Sequence, residues 1–438
     1  MFTRRVTVTV AGLTVAALAL AGCTSAGSSG STASTSSSVV ETSSTQSRSA
    51  LWDSSTVHSI SLEYDESAYD AMIATYLSTG EKEWISATVT IDGVTFENVG
   101  LKLKGNSSLR SLSEDANAEV SSQHPESLPW LIRLDKFVDD QNLDGTTELV
   151  VRGNTSETSL NEAVALDLLA ASGLAAEQAV AATVEVGGVT DVRLVVENPG
   201  DEWFDREFES GTALYKAESG GDYSYRGDDP DAYVDIFDQE AGEDDLAPLI
   251  AFLDFINNAD DATFAQELSS WLDVDAFATY LAFQELVDNF DDIDGPGNNS
   301  YLAYDASTGL MTVVSWDLNL AFGASPAAGG APQGGGPAGG GPRPGAGGGA
   351  GGGAGGGAAG PGGAGGGNVL SERFLSTDGF EALYQSEVER LTDLLYTSGL
   401  AQESLDAWTA TLLAGASDVL SAATIESESA DLAGRLGA

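Results

Sequence analysis

The chain has 438 residues, 67 of them acidic against 18 basic, for a formal net charge of -49. That balance excludes nucleic-acid binding through phosphate contacts, which need Lys and Arg, and attachment to membranes through a polybasic surface. A hydrophobic fraction of 42% excludes wholesale disorder. One cysteine excludes an intrachain disulfide, and two histidines, His58 and His124, exclude a site built from several imidazoles. The length corresponds to roughly two or three domains, or to one large domain with insertions. Taken in chain order, Arg4 and Arg5 precede an apolar run from Val6 to Ala21, the layout of a secretory signal. The run is too short for a typical spanning helix.

The run ends in Leu20-Ala21-Gly22-Cys23, which resembles the lipobox of bacterial lipoproteins. The resemblance implies a signal peptide over residues 1–22, lipid on Cys23, and a place on the outer face of the bacterial cell membrane. The alternative is an ordinary signal peptide with a chance cysteine. Residues 23–50 are rich in Ser, Thr and Gly and read as a flexible tether.

Folded sequence is expected from Leu51. Val57–Tyr64 alternates as a strand does. Glu66–Leu77 has helical spacing, and Trp84–Ile91 with Val94–Lys104 form a hairpin across Asp92-Gly93. A strand is predicted at Trp130–Leu134, a helix at Thr158–Ser172 closed by Gly173, and strands at Ala179–Val186 and Val189–Glu197. Residues 229–290 read as mostly helical, with the strongest helix at Asp273–Asn289. Strands follow at Asn299–Asp305 and Leu310–Trp316. Residues 324–368 are almost only Gly, Ala and Pro and read as a disordered insertion. Residues 369–438 return to a helical pattern that packs on the preceding domain or forms a small separate module. The fold class is therefore α+β, sheet-rich in its N-terminal half and helical in its C-terminal half.

The densest chemistry lies between Asp288 and Gly323. Asp288, Asn289, Asp291, Asp292, Asp294, Asn298 and Asn299 follow a helix, and Asp317 ends the second strand of a hairpin. Hard cations such as Mg²⁺ take oxygen ligands of this kind. A loop aspartate, an asparagine a few residues on and a strand-terminal aspartate are also how protein kinases place their catalytic groups. The bland reading is a solvated acidic loop. An EF-hand register fails, because its first position would fall on Phe290 and its last on Tyr301. There is no P-loop and no Gly-x-Ser-x-Gly elbow. A carboxylate-based hydrolase is permitted by the acidic cluster alone.

The strings Asn298–Asp305 and Trp316–Gly323 resemble the core of the CotH kinase family, atypical protein kinases named for a spore-coat protein. Lys104-Gly105-Asn106-Ser107-Ser108, Trp130–Leu134, Leu160–Gly173, Leu194–Glu197 and Leu214-Tyr215-Lys216 resemble further family segments in the same order. The resemblance implies a kinase-like domain over 51–323 that moves the γ-phosphate of ATP, with Mg²⁺ or Mn²⁺, to Ser or Thr of an exported protein. Asp294 would orient the acceptor hydroxyl. Asp317, Asn299, Asn298 and Asn319 would serve the metal. Lys104, Arg133, Lys216 and Glu197 would serve ATP. Two departures stand out: Asn319 occupies a position where the family commonly has Asp, and Arg133 one where Lys is frequent. Arg does not replace Lys neutrally at a phosphate. Both departures also suit a catalytically inactive envelope scaffold.

Overall fold

The structure, a computed structural model, describes residues 50–118, 120–208, 211, 213–218, 221–293, 299–324 and 368–436. The expected signal peptide, Cys23, nearly all of the tether, Asp294, Asn298 and nearly all of the Gly-rich stretch lie outside the described residues.

Strand β1 (His58–Tyr64) turns its alternate residues Ile60 and Leu62 inward. Helix α1 (Glu66–Thr79) starts at Asp65, whose Oδ1 accepts from the Ala68 N–H at 3.1 Å, and stops at Gly80. Strands β2 (Ile85–Ile91) and β3 (Val94–Leu103) form the expected hairpin. Asp92 and Gly93 both take positive φ, 47° and 82°, the conformation that matches a two-residue turn to the strand twist. A two-stranded sheet of β4 (Leu112–Ser113) and β5 (Val120–Ser121) precedes β6 (Trp130–Arg133) and β7 (Glu148–Val151). Helix α2 (Leu160–Ser172) is followed by the hairpin β8 (Ala179–Val186) and β9 (Val189–Glu197). These strands close a barrel in the order β1-β2-β3-β6-β7-β9-β8, sealed by parallel pairing of β1 with β8. Val89, Ile91, Leu101, Leu149, Val151 and Val184 belong to the core cluster of the barrel, and Tyr69, Met72 and Ile73 of α1 join it.

Helix α3 (Asp201–Glu207) leads to a second sheet. Its strands are β10 (Ala213–Ala217), β11 (Phe237–Gly242), β12 (Ser300–Asp305) and β13 (Leu310–Ser315), in the order β11-β10-β12-β13, all antiparallel. Between β11 and β12 run α4 (Ala247–Asn258), α5 (Asp261–Glu267) and α6 (Val274–Leu286). The expectation of mostly helix over 229–290 is thus corrected at Phe237–Gly242. That segment is polar and lacks alternation, and it is a strand because β10 supplies its hydrogen-bonding partner.

Helices α7 (Val369–Leu375), α8 (Asp378–Leu391), α9 (Leu400–Gly415) and α10 (Ala422–Leu436) follow. Phe374 meets Phe277 of α6 edge-on at 4.9 Å between ring centroids. Trp408 Nε1 donates to Asp167 of α2 at 2.8 Å. Helix α2 is the hub of this half. It buries Leu160, Val164, Leu168 and Leu169 in one cluster with the outer face of the barrel and the C-terminal helices. Each such side chain contributes about 1.5–3 kcal/mol of burial.

Candidate functional site

Several strand ends converge on one indole. Trp316 follows β13, and Tyr301 of β12 packs against its ring edge-on, centroids 5.7 Å apart. Lys104 follows β3 and places its ammonium 5.8 Å from the Trp316 ring centroid. Arg152 follows β7 and places its guanidinium carbon 5.7 Å from the same centroid. Both distances are within reach of cation–π attraction.

Lys104 is held by neutral chemistry. Its Nζ donates to Asn198 Oδ1 at 2.9 Å, and among the described residues no carboxylate lies within ion-pair distance of it. Asn198 in turn donates to Glu148 Oε2 at 2.6 Å, and Glu148 meets Arg133 Nη1 at 3.1 Å. Burial, with repulsion from Lys216, pushes the Lys104 ammonium down to about 7, against the opposing pull of Glu240 and Glu148. Lys216 of β10 faces Glu240 at 3.7 Å and Glu218 at 4.0 Å, both long for an ion pair. Next to Lys104, Gly105 takes φ 99°, and a Cβ there would collide with Ser108 Oγ. Glycine is therefore required where the chain turns sharply after the lysine.

Arg152 is held by charge. Its Nε donates to Glu162 Oε2 at 3.0 Å, its Nη2 lies 2.8 Å from Glu162 Oε1, and the same Nη2 pairs with Asp317. Burial opposes its charge, but Asp317 and Glu162 together raise its pKa above the ordinary arginine value. Burial pushes the Glu162 carboxyl up, against the pull of Arg152. Asp317 itself is a non-glycine residue at φ 62°. Such a backbone costs on the order of 1–3 kcal/mol and persists only where its surroundings impose it. Asp291 is close enough to Asp317 to feel its charge. Burial and that charge raise the Asp291 carboxyl, while a hydrogen bond from Asn299 lowers it.

The predicted residues therefore divide. Asn299 hydrogen-bonds Asp291, whose carboxyl also feels the Asp317 charge, and Lys104 lies beside Trp316. Arg133 and Glu197 line a groove of about 210 Å³ with Glu148, Asn198 and Glu240. Arg133, however, is 42% exposed and engaged by Asp135 and Glu148. Glu197 pairs with none of Lys104, Arg133 and Lys216, the cations assigned with it to ATP. Its carboxylate is taken by Arg206 of α3 and by the backbone and side-chain amides of Gln178. Asn319 is fixed through its carbonyl, which accepts from Asn161 at 2.6 Å and Thr155 at 3.4 Å.

Asp291 and Asp317 offer oxygen donors of the kind a hard cation takes, but Asp291 accepts from Asn299 and Asp317 is already paired with Arg152. Among the described residues there is no cluster of three or more His, Cys, Asp or Glu that could hold a metal ion alone. Sequence reasoning missed Arg152, Glu162 and Glu177. The available signal is the scarcity of cations, which makes an arginine directly after the apolar run Leu149-Val150-Val151 notable. Glu177 is buried with no partner for Oε1 among the described residues, and burial pushes its carboxyl up to about 8.

No curated protein matches the chain closely enough to count as a relative. The family model described as CotH kinase protein matches residues 101–418, a span that takes in the barrel strands from the end of β3, the Lys104 turn, the Arg152 cluster and the second sheet. By that match the chain belongs to the CotH kinase family.

Proposed function

We propose that this protein transfers the γ-phosphate of ATP to Ser or Thr hydroxyls of an exported or cell-surface protein. The observation that carries the reading is Lys104: a desolvated ammonium beside Trp316 with a neutral partner and no direct counterion among the described residues. Phosphate oxygens would supply that counterion. Lys216, also loosely paired, would extend the cationic floor. Arg133 and Glu197 would act indirectly, through Glu148 and the groove wall. Asp317, with Asn299 and Asp291 and with Asn298 and Asn319 nearby in sequence, would hold Mg²⁺ or Mn²⁺. When bound, that ion would neutralise phosphate charge. Asp294 would orient the acceptor hydroxyl.

The family membership supports a kinase-like domain over the matched residues 101–418, and the bounds 51–323 are part of the proposal from sequence. The leader, the lipid on Cys23, the tether, the Gly-rich insertion and the place on the outer membrane face complete the proposal from sequence. The test is incubation of the protein with γ-labelled ATP and Mg²⁺ or Mn²⁺, with Asp294→Asn and Asp317→Ala alongside. Label in the wild type that disappears in both variants supports the reading. Absence of nucleotide binding under every metal condition overturns it.

A second reading has its own observation. Asp317 is already engaged by Arg152, and Asn319 stands where the family commonly has an acid. An envelope scaffold would bind nucleotide or metal without transferring label.

A further inference from the structure

The segment Asp317–Gly323 is bent at two non-glycine residues of positive φ, Asp317 at 62° and Phe322 at 58°, before Gly323 at 65°. A chain in that conformation needs anchors on both sides. Some come from within the family match: the Gly323 N–H donates to the Asp288 carbonyl at 3.1 Å, and Asn161 and Thr155 donate to the Asn319 carbonyl. One more comes from α10, which begins at Ala422, beyond the matched span that ends at 418, and α10 also makes a second contact, with the residues ahead of α2. Arg435 Nη1 donates to the Phe322 carbonyl at 2.9 Å. Glu428 accepts from the backbone N–H groups of Glu157 and Thr158, each at 3.0 Å, and from the Thr158 hydroxyl.

The second contact reaches the site through α2. Ser159, the residue before that helix, sits at φ 52° and makes no side-chain cap. Thr158 Oγ1 accepts from the Leu160 N–H at 3.4 Å, and Glu428, from a distant part of the chain, fixes Thr158 and Glu157 and so the approach to the helix. Helix α2 carries Asn161, which holds the Asn319 carbonyl, and Glu162, which holds Arg152 and through it Asp317. Ile425 and Leu432 are buried and seat α10 in the core cluster shared with α2 and α9.

We propose that α10 is a brace for the Asp317 segment, and that Arg435 and Glu428 are positioning residues for the site. Arg435 acts on the end of the segment directly, and Glu428 acts on its start through α2. The catalytic part of this inference rests on the phosphoryl-transfer reading, whereas the brace itself does not.

The experiment compares the full chain with Arg435→Ala, Arg435→Lys and Glu428→Gln by hydrogen exchange and by labelling kinetics. Loss of a charge-assisted hydrogen bond raises local opening by about tenfold or more. Arg435→Ala is expected to raise exchange by that factor over residues 317–323, with α9 and the barrel unchanged. Arg435→Lys recovers part of the protection, and Glu428→Gln loosens residues 157–162 together with 317–320. Where the wild type transfers label, kcat falls in Arg435→Ala while KM for ATP holds. Unchanged exchange at 317–323, or a rise spread evenly over the whole molecule, overturns the brace. Raised exchange at 317–323 with unchanged kcat overturns the positioning role. A wild type that transfers no label defeats the phosphoryl-transfer reading, and the exchange comparison still decides the brace.

Discussion

Lys104 and Arg152 leave two barrel strands beside the same indole and are held in contrasting ways. Arg152 is closed off by two carboxylates, one from α2 and one from the end of β13. Lys104 is steadied by an amide and is left without a counterion among the described residues. The difference separates scaffold from receptor. A buried charge whose partners are internal ties elements together, whereas one whose partner is neutral is free to meet an anion from outside.

The sharpest way to break this comparison is Arg152→Ala. It strands Glu162 and Asp317 together, and a loss of about 3–5 kcal/mol is expected in denaturant unfolding. A loss below about 1 kcal/mol would remove the cluster from the scaffold. Lys104→Met should do the reverse. Stability is expected to hold or rise, because a desolvated cation is removed, while nucleotide affinity falls by about tenfold or more. Isothermal titration against ATP measures the second effect, and an unchanged affinity would sink the receptor role.

The two kinds of burial also separate in their pH dependence. The Lys104 ammonium titrates near 7 in the folded chain, below its ordinary 10.5, so the unfolded chain holds more protons between those values. Its contribution therefore makes stability rise with pH between about 7 and 10.5 and leaves it flat below. Glu177 has the opposite sign. Its carboxyl is raised from 4.5 to about 8, so its contribution is fully present below 4.5 and is lost as pH rises through 8. Unfolding midpoints across pH should lose the rise in Lys104→Met and the decline in Glu177→Gln. The smallest effect on ATP binding is expected from Trp316→Leu. It removes two cation–π contacts worth about 0.5–1 kcal/mol each, and it should weaken ATP binding less than Lys104→Met does.

Much of this architecture is legible in the sequence where local signals suffice. The Asp92-Gly93 and Gly187-Gly188 hairpins, the Asp273 cap and the α2 stop at Gly173 each carry their own turn or cap chemistry. Strand β11 and the four-residue β7 are not legible, because their partners, and not their own patterns, make them strands. The site follows the same division. Asp317 after a strand and Lys104 before a glycine are readable as residue types in place. Arg152 acquires meaning only through Asp317, 165 positions away, and Glu197 loses its expected role to Arg206 on the next helix. Pairing between distant segments is decided by packing, and one sequence does not display it.

The parallel seam between β1 and β8 carries a kinetic consequence. Every other pairing in the barrel is antiparallel, yet His58 must find Ala182 across most of the barrel's length of chain. Such non-local closure slows folding, since the loop entropy is lost before the contact is gained. Until the seam forms, β1 and β8 are open sheet edges of the kind that pair with other chains. The step that abolishes those edges is thus also the one expected to limit the yield of native protein. Refolding at increasing concentration should reveal it as a competition between closure and association.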